Sequence, residues 1–378
     1  MKSIVNAKIV TQKEVIEGYV LTFDKDIISL SREAPKDIEI IDAKGLYLSA
    51  GFIDIHIHGS NGYDVMDATP KALEEISKSI LKTGTTSFLA TTMTMSKEQI
   101  TKALKSVQTF RQQEGARVLG VHLEGPFINP TKHGAQDPKH IQKPDIELIE
   151  PFMEIIKMIT IAPEVEGGGQ FIEYIEKHFP HIVLSIGHSN ASYNEAKESL
   201  VCGVSHATHL FNAMNPLHHR EVGVVGAILE ADEVSCDIIA DLIHIHPSLF
   251  KLLYRVKREQ LILITDAMRA GCLRDGISEV GGQKVIVKNG EARLEDGTLA
   301  GSVLKLNEAL KNFYKHTDIS LPELISMVTS IPAKKFGLDV GLLEKGYKAD
   351  MVLFDKEFNI ELVIIEGMIV YSNDFIII

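Results

Sequence analysis

Eight short apolar runs recur along the middle of this 378-residue chain, and most are followed by a polar stretch of helix length. The runs are 52–57 (FIDIHI), 87–91 (SFLAT), 118–123 (VLGVHL), 158–162 (MITIA), 182–186 (IVLSI), 204–208 (VSHAT), 235–240 (SCDIIA) and 261–265 (LILIT). Helix-like segments lie at 70–82, 97–114, 169–178, 192–201 and 247–257. Strands that are apolar on both faces need cover on both sides, and the crossovers of a parallel sheet supply it. Eight such units predict an α/β chain built as a (β/α)₈ TIM-type barrel. A doubly wound sheet is the alternative, but no GxGxxG or GxxxxGK[ST] follows any of the runs, so its nucleotide-binding form lacks a signature.

The two ends read differently. Residues 1–50 carry short β-branched runs such as Ile4-Val5, Tyr19-Val20-Leu21 and Ile38-Glu39-Ile40-Ile41, and the last thirty or so residues look alike. The expectation is one small β domain made of residues 1–50 and 345–378, with the barrel, residues 51–344, inserted between them. Residues 283–300, with Asn289-Gly290 and Asp296-Gly297, read as a β excursion after the eighth strand. Helices return at 302–315 and 321–329.

Ionisable residues fall at the ends of these strands. His56 and His58 end the first, Glu124 the third and His188 the fifth, while His209 follows the sixth, His244 the seventh and Asp266 the eighth. A barrel gathers all its strand C-termini on one face, where active sites form. In His-x-His on a strand, both rings share a face because side chains alternate with period two. Imidazole and carboxylate suit one or two divalent ions such as zinc, iron or manganese. Taken singly, each residue has an ordinary reading: Asp266 as a helix cap, Glu124-Gly125-Pro126 as a turn, His188 as a hydrogen-bonded histidine. Their joint placement points to a metal-dependent hydrolase. His122 is expected to point away from this pocket as a structural residue, and His140, His178, His181, His218 and His316 to stay outside it.

A net charge of −12 without a basic block argues against nucleic acid or an anionic membrane as partner. Cys202, Cys236 and Cys272 form no CxxC pair, and the N-terminal stretch lacks an apolar run of signal-peptide length. The expectation is a cytoplasmic protein.

Longer motifs accompany the strand ends. They are Gly51-FIDIHIHG, His122-LEGPFI, Ser185-IGHS, Thr208-HLFNAMNPLHHRE, Ala240-DLIHIHP, Ile264-TDAM and Leu299-AGS, with Ile331-PAKKFGL and Gly346-YKADMVLFD in the tail. Together they resemble the N-acetylglucosamine-6-phosphate deacetylases of the amidohydrolase superfamily. The resemblance implies a (β/α)₈ barrel with a small β-sandwich built from both chain ends, and hydrolysis of N-acetylglucosamine 6-phosphate, or of another N-acetylhexosamine 6-phosphate such as the galactosamine epimer. It implies that Glu124, His188 and His209 hold the main metal, that His56 and His58 hold a second with Glu124 between, and that Asp266 is the catalytic acid/base. Arg220 and His244 match phosphate-binding residues, with Arg220 reaching the neighbouring subunit of a homodimer. Asn212, Ala213, Ala135, Gln136, Leu299, Ala300 and Gly301 match substrate contacts. Two positions depart from the pattern. Gln136 stands where many members carry histidine, so a charged contact becomes a neutral one. Leu242 stands where glycine is usual, which predicts a different path for the loop before His244.

Overall fold

The computed structural model describes residues 1–112 and 114–373. Eight parallel strands form one sheet in chain order: β1 (Phe52–Ile57), β2 (Thr85–Thr91), β3 (Arg117–Glu124), β4 (Ile156–Ile161), β5 (Val183–Ile186), β6 (Val204–Ala207), β7 (Ser235–Ile239) and β8 (Leu261–Ile264). Beyond β8 the chain returns to β1. The Asp266 N–H donates to His56 O at 2.9 Å, and the His58 N–H donates to Ala267 O at 2.9 Å. The contact that closes the barrel therefore also sets Asp266 beside His56 and His58.

Helices cover the outside. Pro70–Ser79, Lys97–Thr109, Gly168–His178, Phe250–Lys257 and Leu306–Lys315 bury stripes of Ile, Leu and Phe against the strands, while Tyr193–Val201 buries Ala196 and Ser199. Ser96 and Gln99 form a capping box that starts the second of these helices. That helix ends at Thr109, short of the expected 114, and residue 113 lies outside the described residues. The helix expected from 302 starts only at Leu306, because Ser302 is engaged at the barrel mouth. There its N–H donates to Asp266 O at 2.7 Å and its Oγ to Thr265 O at 2.5 Å. The expected 321–329 helix stops at Ser326, and a second runs over Ser330–Lys335. The β excursion is longer than its turn signals implied. It has three antiparallel strands, Gly276–Val280, Gln283–Lys288 and Glu291–Leu294.

Both chain ends build the small β-sandwich. Its six-stranded sheet pairs Tyr47–Ala50 antiparallel with Met351–Phe354, and a four-stranded sheet comes wholly from the N-terminal stretch. Ile4, Leu21, Phe23, Leu48, Met351 and Leu362 share its core. Tyr47–Ala50 runs into β1 through Gly51, where a Cβ would lie 2.2 Å from Thr86 Oγ1, so only glycine fits this junction. Residues 374–378 of the expected C-terminal stretch lie outside the described residues.

Arg117, at the start of β3, ties the barrel to the sandwich. Its Nη1 lies 3.0 Å from Asp350 Oδ2, and its Nη2 lies 3.3 Å from Glu366 Oε1. Asp350 is 1% exposed, and burial pushes its carboxyl up, partly offset by Arg117. Removing the guanidinium leaves a buried charge without its partner, a loss of about 3 kcal/mol for such pairs. Arg117→Met is therefore expected to lower unfolding free energy by about that much at pH 8. A group whose folded pKa lies above its unfolded value favours folding at low pH, so the deficit should shrink as acid protonates Asp350. Urea titrations at pH 8 and pH 5 measure both quantities.

Candidate metal centre and active site

The strand ends converge as the barrel geometry requires. His56, His58, Glu124, His188, His209 and Asp266 are each 8% exposed or less. Two donor sets result, Glu124/His188/His209 and His56/His58/Asp266, with the ligand atoms of each within 4.8 Å of one another. Glu124 links them. Its Oε1 lies 3.0 Å from His209 Nε2, 3.2 Å from His188 Nε2 and 3.5 Å from His56 Nε2, and its Oε2 lies 3.3 Å from His58 Nε2. Asp266 Oδ1 lies 3.4 Å from His56 Nε2 and 3.3 Å from His58 Nε2.

These sets fit divalent ions by their own chemistry. His188 Nε2 and His209 Nε2 face each other at 3.1 Å, and His56 Nε2 and His58 Nε2 at 3.3 Å. Lone pairs that close need a proton or a cation between them. The donors are nitrogen and carboxylate oxygen, a borderline-to-hard set.

Electrostatics around the sets is strong. Burial pushes the Glu124 carboxyl up, but His56 and His188 outweigh it and hold Glu124 well below the usual carboxylate range. Burial likewise pushes Asp266 up, and His56 and His58 bring it below its ordinary value. Burial lowers His58, while Asp266 and Glu124 raise it well above 6.5. Asp266 and Glu124 thus favour the protonated form of His58.

Backbone geometry aims these side chains. His188 (φ 49°), His209 (φ 34°) and Asp266 (φ 48°) are all left-handed, each just past a strand, turning the chain so that the side chain faces the barrel axis. Asp237 on β7 accepts a hydrogen bond from the His209 N–H and lies 2.9 Å from His206 Nε2. Asp54 on β1 accepts from the His56 N–H at 3.2 Å and from Thr265 Oγ1 at 2.6 Å, and burial pushes its carboxyl up to about 6. Gly301 takes a left-handed φ of 58°, and a Cβ there would press on Asp266 O at 3.0 Å.

A cleft of about 360 Å³ opens above the donor sets, within the ~300–1,000 Å³ typical of small-molecule sites. It is lined by His58, Glu124, His188, His209 and Asp266, and also by Ala135, Gln136, Asn212, Ala213, His244, Leu299 and Gly301. His244 Nδ1 is held by Asp241 Oδ2 at 2.7 Å, which leaves Nε2 for a ligand. Ala300 is fully buried beside Met268 and Val285 rather than on the cleft wall. Arg220 is exposed and off this cleft, with Nη1 2.6 Å from His219 Nε2.

Several placements differ from the sequence expectations. Asp266, grouped with the ligand-type residues by its strand-end position and matched to the acid/base by resemblance, sits in the donor set of His56 and His58. His122 is buried in the barrel as a structural residue and lines no part of the cleft, but it shares the face of Glu124, two residues on, and its ring packs edge-on against His56 with centroids 4.6 Å apart. Its Nε2 lies 2.7 Å from Thr160 Oγ1, inside the barrel. Gln136 donates from Nε2 to Glu124 Oε2 at 2.7 Å, while Oε1 accepts from the Thr94 N–H at 2.6 Å. The residue therefore steadies a ligand, a role that its match to a substrate contact did not suggest. Leu242 takes φ 69°, so the loop keeps the left-handed turn that glycine would favour and leaves the leucine half-exposed. Met93, Val280, Arg293 and Thr298 also line the cleft. Three of these lie on or beside the β excursion, whose turn signals reveal strands but not that they wall a pocket.

The matching family model, the amidohydrolase family, spans residues 47–370. The chain belongs to this family. Its relatives include the N-acetylglucosamine-6-phosphate deacetylase of Bacillus subtilis, 40% identical over 97% of this chain and 96% of that one. The crystal structure of the Pasteurella multocida deacetylase of the same name superposes with a TM-score of 0.93 at 33% identity, covering 98% of this chain and 100% of that one. A point variant of the Mycobacterium smegmatis enzyme, solved in complex with N-acetyl-D-glucosamine-6-phosphate, gives 0.90 at 26% identity, covering 98% and 99%.

Ion binding must displace the proton that the carboxylates hold on His58. Calorimetric titration with Zn²⁺ at pH 7, in buffers of different ionisation enthalpy, is expected to show release of about one proton with the ion at His56/His58, and affinity that rises with pH. Zero release would contradict the protonated His58.

Proposed function

We propose that this chain hydrolyses N-acetylglucosamine 6-phosphate to glucosamine 6-phosphate and acetate. The observation that carries the reading is the convergence of Glu124, His188, His209, His56, His58 and Asp266 under a cleft of sugar size, in a chain whose relatives carry that name. Glu124, His188 and His209 hold the main divalent ion. His56 and His58 would hold a second, with Glu124 between the two sets and Asp266 beside them. Zinc, iron and manganese all suit this donor set.

A divalent ion bound there would lower the pKa of water from ~15.7 towards ~7 and polarise a carbonyl oxygen. The chain supplies the rest. Asp266, held as a carboxylate by its histidine neighbours, accepts the proton of the attacking water. It then delivers that proton to the sugar nitrogen, so that the C–N bond breaks and acetate leaves. Gln136 keeps Glu124 oriented. Asn212, Ala213, Ala135, Leu299 and Gly301 shape the sugar and acetyl pocket, with Ala300 behind them.

At the far end, His244 Nε2 binds the phosphate together with Arg220 of a second subunit in a homodimer. Arg220 lies exposed and outside the cleft of its own chain, which suits a residue that serves a neighbour. Remote phosphate binding of this kind raises the rate by fixing the amide over the reacting groups. A cytoplasmic setting agrees with three free cysteines, and no helix among the described residues is long and apolar enough to cross a membrane.

Asp266→Asn is expected to lower kcat by about 10³-fold or more, since both proton transfers pass through this carboxylate. An ion at Glu124, His188 and His209 should remain bound. Near-normal acetate release by that variant would remove Asp266 from the proton path. Arg220→Ala should raise KM for the 6-phosphate strongly and leave unphosphorylated N-acetylglucosamine little affected. Equal losses on both sugars would take Arg220 away from the phosphate. Running the galactosamine epimer alongside shows whether the cleft distinguishes C4.

A further inference from the structure

Glu164 lies just beyond β4, between the loops that carry Glu124 and His188. Its carboxylate gathers three donors from these two loops. Oε1 accepts from Asn129 Nδ2 at 2.9 Å and from the Asn190 N–H at 2.6 Å, and Oε2 accepts from Ser189 Oγ at 2.7 Å. Ser189 and Asn190 directly follow His188, whose backbone is left-handed and needs such an anchor.

Asn129 extends the link to the other end of the same histidine. Its N–H donates to His188 O at 3.0 Å, and its Oδ1 accepts from the Thr131 N–H at 2.8 Å, capping the turn Pro130–Lys132. Lys132 O, at the end of that turn, lies 2.9 Å from His188 Nδ1. The carbonyl can only accept, so Nδ1 carries the proton and Nε2 presents its lone pair to Glu124 and His209. By contrast, Nδ1 of His56, His58 and His209 is buried with no hydrogen-bond partner among the described residues. His188 is thus the ligand histidine whose tautomer the protein itself sets, and Glu164 holds both the backbone after it and the turn that accepts its proton.

We propose that Glu164 is a positioning residue that sets the ion affinity of the Glu124/His188/His209 site by locking His188 in its Nδ1–H form. This rests on the ligand assignment above. Loss of such outer contacts weakens metal binding by about 10–100-fold.

The test isolates that site in the H56A/H58A background and titrates it with Zn²⁺ alone against a chromogenic chelator, without substrate. E164A is expected to bind about 10–100-fold more weakly, and the His188 ring nitrogens should lose their single-tautomer NMR pattern. Melting of the ion-free protein should stay close to that of the background protein. E164Q, which keeps one acceptor oxygen, should lose less, and it carries the test if E164A does not fold. Unchanged affinity in both variants overturns the proposal. So does weakening that merely tracks a lower melting temperature of the ion-free protein, because Glu164 would then only support the fold. If the background protein binds no ion there, the ligand assignment fails first and the proposal falls with it, a result distinct from normal binding in E164A.

Discussion

Glu124 brings a negative charge to a point that is 2% exposed, at the end of the third barrel strand. Taking a carboxylate out of water costs several kcal/mol even after relaxation. Four imidazoles and the Gln136 amide surround it, within 3.5 Å of one carboxylate oxygen or the other. The rest of the site follows from satisfying this charge. The imidazoles bring their own lone pairs, which face one another in two pairs and call for cations between them. A charge network of this kind suits occupancy by metal: the ions neutralise the carboxylates, and the carboxylates and imidazoles complete the coordination.

The barrel makes this concentration possible. Parallel strands end on one face, and the chain turns sharply at three of the ligand positions, with His188, His209 and Asp266 all left-handed. Such residues cost of order 1–3 kcal/mol each and persist where their surroundings over-determine them. Here the surroundings are specific. Asp237 holds the His209 N–H, Glu164 the segment after His188, and Ser302 the carbonyl of Asp266. Below the mouth, the interior is polar rather than oily. His122, Thr160, Thr208 and Ser185 form a hydrogen-bonded row, and His206 pairs with Ser235 and Asp237. This row sits under the ligands as a fixed base.

Much of this was readable in the amino-acid order because the ligands sit at strand ends, and strand ends are marked by where apolar runs stop. The eight runs, the six ligand-type residues and the joining of the two chain ends all follow from local pattern. What pattern misses is contact across the barrel. Asp266 meets His56 and His58 only because the sheet closes between its first and last strands. His122 is a structural residue of the barrel interior, but a period of two puts 122 and 124 on one face, so its ring also packs against His56. Arg293 and Val280 reach the cleft only through the folding-over of the β excursion, which no local signal encodes. At Leu242 residue type misled: a leucine can hold φ 69° when Asp241 accepts the N–H groups of Ile243 and His244 at 2.9 and 2.8 Å.

The central claim is that ions held by Glu124, His188, His209, His56 and His58, with Asp266 carrying the proton, drive release of acetate from N-acetylglucosamine 6-phosphate. Reconstitution tests it most directly. The protein is stripped with a chelator, dialysed, and titrated with Zn²⁺, Mn²⁺ or Fe²⁺ while acetate release is followed. The account predicts no turnover in the stripped protein and recovery that saturates at one or two ions per chain. Undiminished acetate release from fully stripped protein would contradict it.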